Sequence, residues 1–159
     1  MILLPKTKVK LWDCFLALIE WPILIGIGIV GTVFSFSTIP FYPATNIFGF
    51  ILLIIGFVTH GLSHKVHKQA HEQIEKIWEI VTTGIYSKIR HPGYLGLILL
   101  YFGFALAWGI VWIFLPVVIF SILTCLTAIK EEEYLREKFR KEYEEYMRQV
   151  PWRFIPRVL

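Results

Sequence analysis

The sequence has little charge and little cysteine. Charged residues make up 18% of its 159 residues and hydrophobic residues 56%, whereas soluble domains average about 25% and 45–50%. The two cysteines, Cys14 and Cys125, stand in apolar runs, so neither a disulfide framework nor a zinc-finger spacing is present. This composition excludes a disordered chain, a coiled coil and an ordinary soluble enzyme. It predicts a single all-α integral membrane domain built as one compact bundle.

Long apolar runs are the most prominent feature of the sequence. A transmembrane helix needs about 20 mostly apolar residues, and four stretches meet or nearly meet this length, which predicts about four transmembrane helices. The third and fourth are separated only by Trp108 and Gly109, which predicts a tight helical hairpin. The four stretches are 11–39, 47–62, 94–108 and 110–129.

Positive charge is confined to one side of these stretches. All 16 Lys and Arg residues lie before the first stretch, between the second and third, or after the fourth, while the loops at 38–46 and 108–109 have none. By the positive-inside rule, both termini and the central polar face are expected to be cytoplasmic, in a multi-pass protein. The net charge of +4 is therefore interpreted as topology, and no nucleic-acid partner is expected.

The polar segments between and after the stretches have their own expected structure. Residues 63–92 carry helical periodicity. The charged tail, 130–159, is expected to continue the last helix and then fold back onto the bilayer surface. Residues 1–10 are basic but precede a long stretch without a small-residue cleavage site, so they are not interpreted as a signal peptide.

Four histidines could carry chemistry: His60, His64, His67 and His71. Their spacings of four, three and four residues place them on one helical face. Neutral imidazoles at such spacing can bind a metal, but the di-iron oxidases of membranes need larger sets of histidines and carboxylates than this chain has. Two interpretations stay open, a metal site and an interfacial stripe that lines a substrate.

The run from Arg90 to Gly96 stands where the polar segment meets the third stretch. Pro92 suits the first turn of a helix, where its missing N–H costs nothing. The helix N-terminal amides and Arg90 together favour an anion such as a carboxylate. Tyr94 adds an aromatic hydroxyl at interface depth. The alternative interpretation is an ordinary interfacial anchor.

Carboxylates near the membrane are further candidates. The acids at 131–133 follow the fourth stretch, where a carboxylate is costly unless it is paired with a cation. That cation would be a nearby Lys or Arg, or the ammonium or sulfonium of a ligand; the alternative is a solvated charged face. Glu20 lies inside the first stretch, next to Pro22, and either has a direct catalytic role or marks a break in the helix.

Taken in order, the motifs of the C-terminal half resemble those of the isoprenylcysteine carboxyl methyltransferases, and the related phospholipid N-methyltransferases share much of the pattern. The resemblance spans about 78–156, whereas the N-terminal spans match only in hydropathy. It implies N-terminal spans at 1–63 and a catalytic core at 64–159. The motifs are Val81-Thr82-Thr83-Gly84-Ile85-Tyr86, Arg90-His91-Pro92-x-Tyr94-x-Gly96, Glu131-Glu132-x-x-Leu135-x-x-x-Phe139-x-x-x-Tyr143-x-x-Tyr146, and Val150-Pro151.

The resemblance implies S-adenosylmethionine as the cofactor, in a pocket roofed by the C-terminal tail. Backbone amides near Pro92 would bind its carboxylate, and Glu131 would face its positive end. Arg90, His91 and Glu131 would have the catalytic roles, with His91 or Glu131 as the base for an amine acceptor. The cofactor contacts implied by motif position are Trp78, Glu79, Ile80, Val81, Tyr86, His91, Pro92, Gly93, Tyr94 and Glu131, with His71 as a weaker candidate.

The resemblance also implies a lipidic acceptor that reaches the pocket from the surrounding membrane lipids. An isoprenylcysteine-like carboxylate comes first, and a phospholipid amine is the alternative. Thr127 stands where the family has its substrate-orienting arginine, and Lys130 is the nearest cation, so both are candidate substrate contacts. The family prefers Gly where this chain has Arg140. Other classes stay open: a sterol-reductase-like oxidoreductase, a non-catalytic scaffold and a metal protein with histidine ligands.

Overall fold

The computed structural model describes residues 9–41, 43–67 and 77–156, with side chains from residue 18 onward. Within these residues the chain forms helices and no β-strand, so the predicted all-helical architecture is confirmed. Short 3₁₀-helices at Gly84–Ser87 and Val111–Ile113 precede the third and fourth α-helices. The α-helices are α1 (Val9–Val33), α2 (Ala44–Val66), α3 (Pro92–Trp108), α4 (Phe114–Phe139) and α5 (Lys141–Gln149).

Two helical stretches, Ala44–Val66 and Val111–Phe139, are long and apolar enough to cross a membrane. Leu18–Val33 and Pro92–Trp108 are shorter apolar helices. Large apolar side chains such as Phe57 remain exposed on the outer faces, as expected of a surface that contacts lipid tails rather than water. Four spans and a cytoplasmic polar face stay predictions.

The packing of α2 against α3 is unusually close because glycines stand at the contact. A Cβ on Gly96 would lie 2.6 Å from the backbone nitrogen of His60, and one on Gly103 would lie 2.7 Å from that of Leu53. Lipid provides no hydrophobic drive for helix association, so small residues that let backbones touch are the usual contact between membrane helices. The same crowding occurs at Gly49 and Gly56.

A tight turn joins α3 to α4. Gly109 ends α3 with φ +84°, a left-handed conformation that glycine adopts without steric cost, and its N–H bonds to Ala105. Thr38 and Ile110 form an isolated antiparallel bridge that ties this turn to the loop after α1. The structure thus has the expected hairpin, but α4 begins at Phe114 because a 3₁₀ turn intervenes.

Three expectations about the N-terminal half differ from the structure. The first helix runs unbroken through Glu20 and Pro22, so Glu20 does not mark a break; its side chain is buried and accepts a hydrogen bond from Tyr101 of α3. This helix ends at Val33, well before residue 39. Of the segment 63–92 with predicted helical periodicity, 68–76 lie outside the described residues and 77–83 are not helical; Ile77, Glu79, Ile80 and Val81 line a cavity.

The fourth helix continues into the charged tail as expected, as far as Phe139, but it breaks at Arg140 before α5 begins. The φ of Arg140, +47°, lies in a region that favours glycine, the residue that the resemblance leads one to expect there. A non-glycine residue held in such a region costs about 1–3 kcal/mol. The break turns α5 back, so that Tyr143 and Tyr146 are buried against Ile80 and Leu135.

We expect Gly96→Ala to lower the free energy of unfolding by about 1–3 kcal/mol, because the new methyl group would overlap the backbone of His60. Gly61→Ala, also in this helix pair, is the matched control. A Cβ there would meet open space, and alanine should stabilise the helix by about 0.5–1 kcal/mol. Unfolding in detergent micelles measures both, and shifts of the same sign would contradict the proposed contact.

Candidate functional site

A cavity of about 450 Å³ lies among the five α-helices and residues 77–86. This volume falls in the range of about 300–1,000 Å³ that is usual for small-molecule sites, and the wall is mostly apolar with a few polar groups, as such sites usually are. Eight positions to which the resemblance gives a cofactor role line it: Glu79, Ile80, Val81, Tyr86, His91, Gly93, Tyr94 and Glu131.

The remaining candidates lie elsewhere. Trp78 is 63% exposed and Pro92 is buried in the first turn of α3, and neither is part of the cavity wall. Thr127 is half-buried on α4 and Lys130 is exposed, and these two candidate substrate contacts also lie outside the wall. His71 lies outside the described residues.

Glu132 is the centre of a buried ion-pair cluster beside the cavity. Its Oε1 accepts hydrogen bonds from Arg90 Nε at 2.8 Å and from His91 Nε2 at 3.0 Å, and its Oε2 accepts one from Arg153 Nε at 2.9 Å. Arg90 also donates from Nη1 to the carbonyl of Val150 at 2.8 Å. The guanidinium of Arg90, although it lines the cavity, is therefore paired with protein groups.

The C-terminal tail packs on the start of α3. The backbone N–H groups of Arg90 and His91 donate to the carbonyls of Trp152 and Arg153, both at 2.9 Å. Phe154 is buried, and its ring centroid lies 5.9 Å from that of His91. These backbone and ring contacts hold the tail on the start of α3, and its predicted position at the bilayer surface stays a prediction.

The contacts of the C-terminal tail leave fewer backbone amides near Pro92 available to bind an anion. The N–H groups of Arg90 and His91 are used by the tail. Those of Gly93 and Tyr94 belong to the first turn of α3, where N–H groups have no acceptor within the helix. Both residues line the cavity.

His60 and His64 form a hydrogen-bonded pair on the cavity wall. Nδ1 of His60 lies 3.0 Å from the carbonyl oxygen of Gly93, and Nε2 of His64 lies 2.9 Å from Nε2 of His60. The ring centroids are 4.4 Å apart. In the part of the chain that the structure describes, no group of three or more His, Cys, Asp or Glu side chains is arranged to hold a metal.

Hydroxyl groups connect other parts of the cavity wall through hydrogen bonds. Tyr94 donates to Glu131 Oε2 at 2.8 Å, the hydroxyls of Ser63 and Tyr86 are 2.7 Å apart, and Tyr146 donates to the carbonyl of Tyr86 at 2.8 Å. Burial raises the pKa of Tyr86 to about 12; the charge of Glu131 adds to this rise and the Ser63 hydrogen bond opposes it. Tyr86 is therefore a neutral phenol at neutral pH.

The two tyrosines of α5 are neutral for the same reason. Burial is the largest cause that raises the pKa of Tyr143, followed by the charge of Glu132. Burial likewise raises the pKa of Tyr146, with a further contribution from Tyr86. The wall that α5 contributes is therefore aromatic and uncharged.

The acidic run at 131–133 was predicted to need a cation, and Glu132 meets this prediction by pairing with Arg90 and Arg153, although Arg153 itself was not a candidate. The resemblance gave the ligand-facing role to Glu131, and the rotation of α4 shows that Glu131 faces the cavity while Glu132 faces the tail. The sequence alone could have predicted that these two acids have different partners, because adjacent residues of a helix point about 100° apart.

Together, the helices and the cavity define an all-helical membrane protein with a site for a small molecule. Compared with known protein families, the chain matches the phospholipid methyltransferases over residues 44–142. Because the match covers more than half of the chain, the protein belongs to this family. The prediction of a membrane methyltransferase is confirmed at this level. The matched region runs from the start of α2 into α5 and contains Arg90, His91, Glu131 and Glu132.

We expect Glu132→Gln to lower the free energy of unfolding by about 3–5 kcal/mol, because the buried charge of Arg90 would lose its partner. Loss of the Arg153 contact should also speed hydrogen exchange at residues 150–156. Glu133→Gln, at the exposed neighbouring position, is the control and should change stability by less than about 0.5 kcal/mol. Similar behaviour of the two variants would contradict the role of this cluster.

Proposed function

We propose that the protein transfers a methyl group from S-adenosylmethionine to a lipid acceptor held in the cavity. One observation carries the proposal. Residues from three separate parts of the chain, to which the resemblance assigns cofactor contacts, line the same cavity: 79–81 with Tyr86, His91 with 93–94, and Glu131. Membership of the phospholipid methyltransferase family supports the reaction class.

The chemistry of the wall suits a sulfonium cofactor. Glu131 presents a carboxylate that Tyr94 orients by its hydrogen bond, and a carboxylate stabilises a nearby positive charge. Tyr86 offers a neutral aromatic ring, and Ile80 and Val81 offer apolar surface to a nucleoside. When bound, the cofactor supplies a methyl group attached to positively charged sulfur. The protein has to hold both reactants in line and exclude water.

An apolar part of the wall suits a lipid tail. Trp21, Leu97 and Leu100 line the cavity together with Phe57, which is 74% exposed on α2. A ligand beside Phe57 can therefore extend toward the outer apolar face of the helix bundle. A buried tail contributes about 0.8 kcal/mol per CH₂, so we expect the tail to dominate acceptor affinity.

Of the two acceptors, a lipid amine is the one that the cavity favours. Thr127 and Lys130, the candidate contacts for a carboxylate, lie outside its wall. Arg90 lines the cavity, but its guanidinium already donates to Glu132 and to the carbonyl of Val150. The family's description as phospholipid methyltransferases agrees with an amine. The isoprenylcysteine carboxylate, which the resemblance put first, is therefore the second candidate.

Calorimetry of the protein in detergent should detect S-adenosylmethionine at micromolar strength, about 8 kcal/mol of binding free energy. Glu131→Gln should weaken binding by about 1–3 kcal/mol, because a charged contact is lost. Tyr94→Phe should have a smaller effect through the orientation of Glu131, and Glu133→Gln should have none. Unchanged affinity in Glu131→Gln and Tyr94→Phe would reject this pocket, and binding of NADPH in its place would favour the oxidoreductase.

Turnover with phosphatidylethanolamine and with a farnesylated cysteine analogue distinguishes the acceptors. We expect methylation of the amine, with Lys130→Ala close to wild type because this exposed side chain lies outside the cavity. A carboxylate acceptor would instead need a cation to orient it. If the protein methylates only the cysteine analogue, and Lys130→Ala lowers that activity, the acceptor is a carboxylate and not an amine.

A further inference from the structure

Tyr143 of α5 has a buried hydroxyl group that the described part of the protein does not use. The residue lines the cavity, and only 1% of its surface is exposed. On the same wall, the hydroxyls of Tyr86, Tyr94 and Tyr146 each form a hydrogen bond within the protein. Among the described residues, no group forms one with the hydroxyl of Tyr143. Buried polar groups normally have a partner, so this exception indicates that something else supplies it.

The hydroxyl of Tyr143 faces the open space of the cavity. The ring packs in the apolar cluster with Tyr146, Ile80 and Leu135, and the ring centroids of the two tyrosines lie 5.8 Å apart. The hydroxyl oxygen has no partner, yet it is not one of the unpartnered atoms that are fully enclosed in the described part of the chain. The small surface that Tyr143 retains therefore includes its hydroxyl, where a bound molecule can reach it.

This hydroxyl is a hydrogen-bond donor at neutral pH. Burial is the largest cause that raises the pKa of Tyr143, the charge of Glu132 comes next, and Arg90 acts in the opposite direction. The phenol consequently keeps its hydrogen. A neutral phenol can donate this hydrogen, and its strongest bonds are those to an ionised oxygen. The ligand group that suits Tyr143 best is therefore an anion.

The charges around Tyr143 also suit an anion that stands next to a cation. Arg90 and Arg153 bring two positive charges to the one negative charge of Glu132, so this cluster retains a net positive charge beside the cavity. Glu131, on the cavity wall, favours a positive charge instead. Arg90, Glu132 and Glu131 are all near enough to influence the Tyr143 proton. A ligand that carries both signs of charge close together would match this end of the cavity.

We propose that Tyr143 is a cofactor-binding residue that donates a hydrogen bond to the carboxylate of the methionine part of S-adenosylmethionine. This inference rests on the cofactor of the proposed function. In that part of the cofactor, the ammonium group and the carboxylate are attached to the same carbon atom. An ammonium group beside Glu131 therefore brings the carboxylate to the end of the cavity where Tyr143 lies. The first-turn amides of α3 would complete the set of donors around it.

Unfolding of the ligand-free protein gives the first readout. Tyr143→Phe removes the hydroxyl and keeps the ring, and a hydroxyl without a protein partner contributes no hydrogen bond to stability. We therefore expect the Tm of Tyr143→Phe in micelles to equal or exceed that of the wild type. The matched control on the same helix is Tyr146→Phe, which loses a hydrogen bond to the carbonyl of Tyr86 and should have a lower Tm. A lower Tm in Tyr143→Phe would mean that the hydroxyl serves the structure, and overturns the proposal.

Calorimetry with three related ligands identifies the group that Tyr143 binds. Tyr143→Phe should weaken S-adenosylmethionine about 10- to 100-fold, because a hydrogen bond to a charged group is lost. S-adenosylhomocysteine, which keeps the carboxylate and lacks the methyl group, should be weakened as much. Decarboxylated S-adenosylmethionine lacks the carboxylate and should bind the variant and the wild type within about twofold. In Tyr146→Phe, any loss should be the same for all three ligands, because that hydroxyl is bonded to the protein.

The possible failures give different results. An equal loss with all three ligands would mean that the hydroxyl reaches another part of the cofactor, and overturns the carboxylate as its partner. Unchanged affinity of Tyr143→Phe for S-adenosylmethionine overturns the role of Tyr143 and leaves the proposed function intact. Wild-type protein that binds none of the three ligands overturns the proposed function, and this inference with it.

Discussion

The backbone contact between α2 and α3 is the constraint on which the rest of the structure depends. Glycines at positions 49, 56, 96 and 103 leave no room for a side chain between the two helices. In a membrane this contact is stabilised by van der Waals packing rather than by the hydrophobic effect. It brings the histidines of α2 to the first turn of α3, so the packing of apolar helices decides the geometry of the polar cavity.

A second constraint is the burial of Glu132 among three cationic or potentially cationic groups. Its carboxylate joins the start of α3, the end of α4 and the C-terminal tail, through Arg90, His91 and Arg153. Burying such charges costs free energy that only good hydrogen-bond geometry offsets. The cluster positions parts of the protein: it brings residues that are distant in sequence together beside the cavity, and it holds the tail over the start of α3.

The adjacent acids Glu131 and Glu132 divide the work between structure and ligand. Glu132 is satisfied by protein donors on both of its oxygens. Glu131 keeps its carboxylate on the cavity wall with a hydrogen bond from Tyr94. A single turn of α4 thus supplies both the anchor for the tail and the negative charge that a cationic ligand would meet.

The sequence by itself determined the helical class, the apolar stretches and the turn at Gly109, because hydropathy and turn chemistry act over short distances; the eight cavity residues were named by the family resemblance. Only the tertiary structure decided that α1 runs through Glu20, that the helix breaks at Arg140, and that Glu132 rather than Glu131 binds Arg90. These outcomes depend on which helix faces meet. The same holds for His60 and His64, whose spacing placed them on one helical face but did not show that Nδ1 of His60 meets the carbonyl of Gly93.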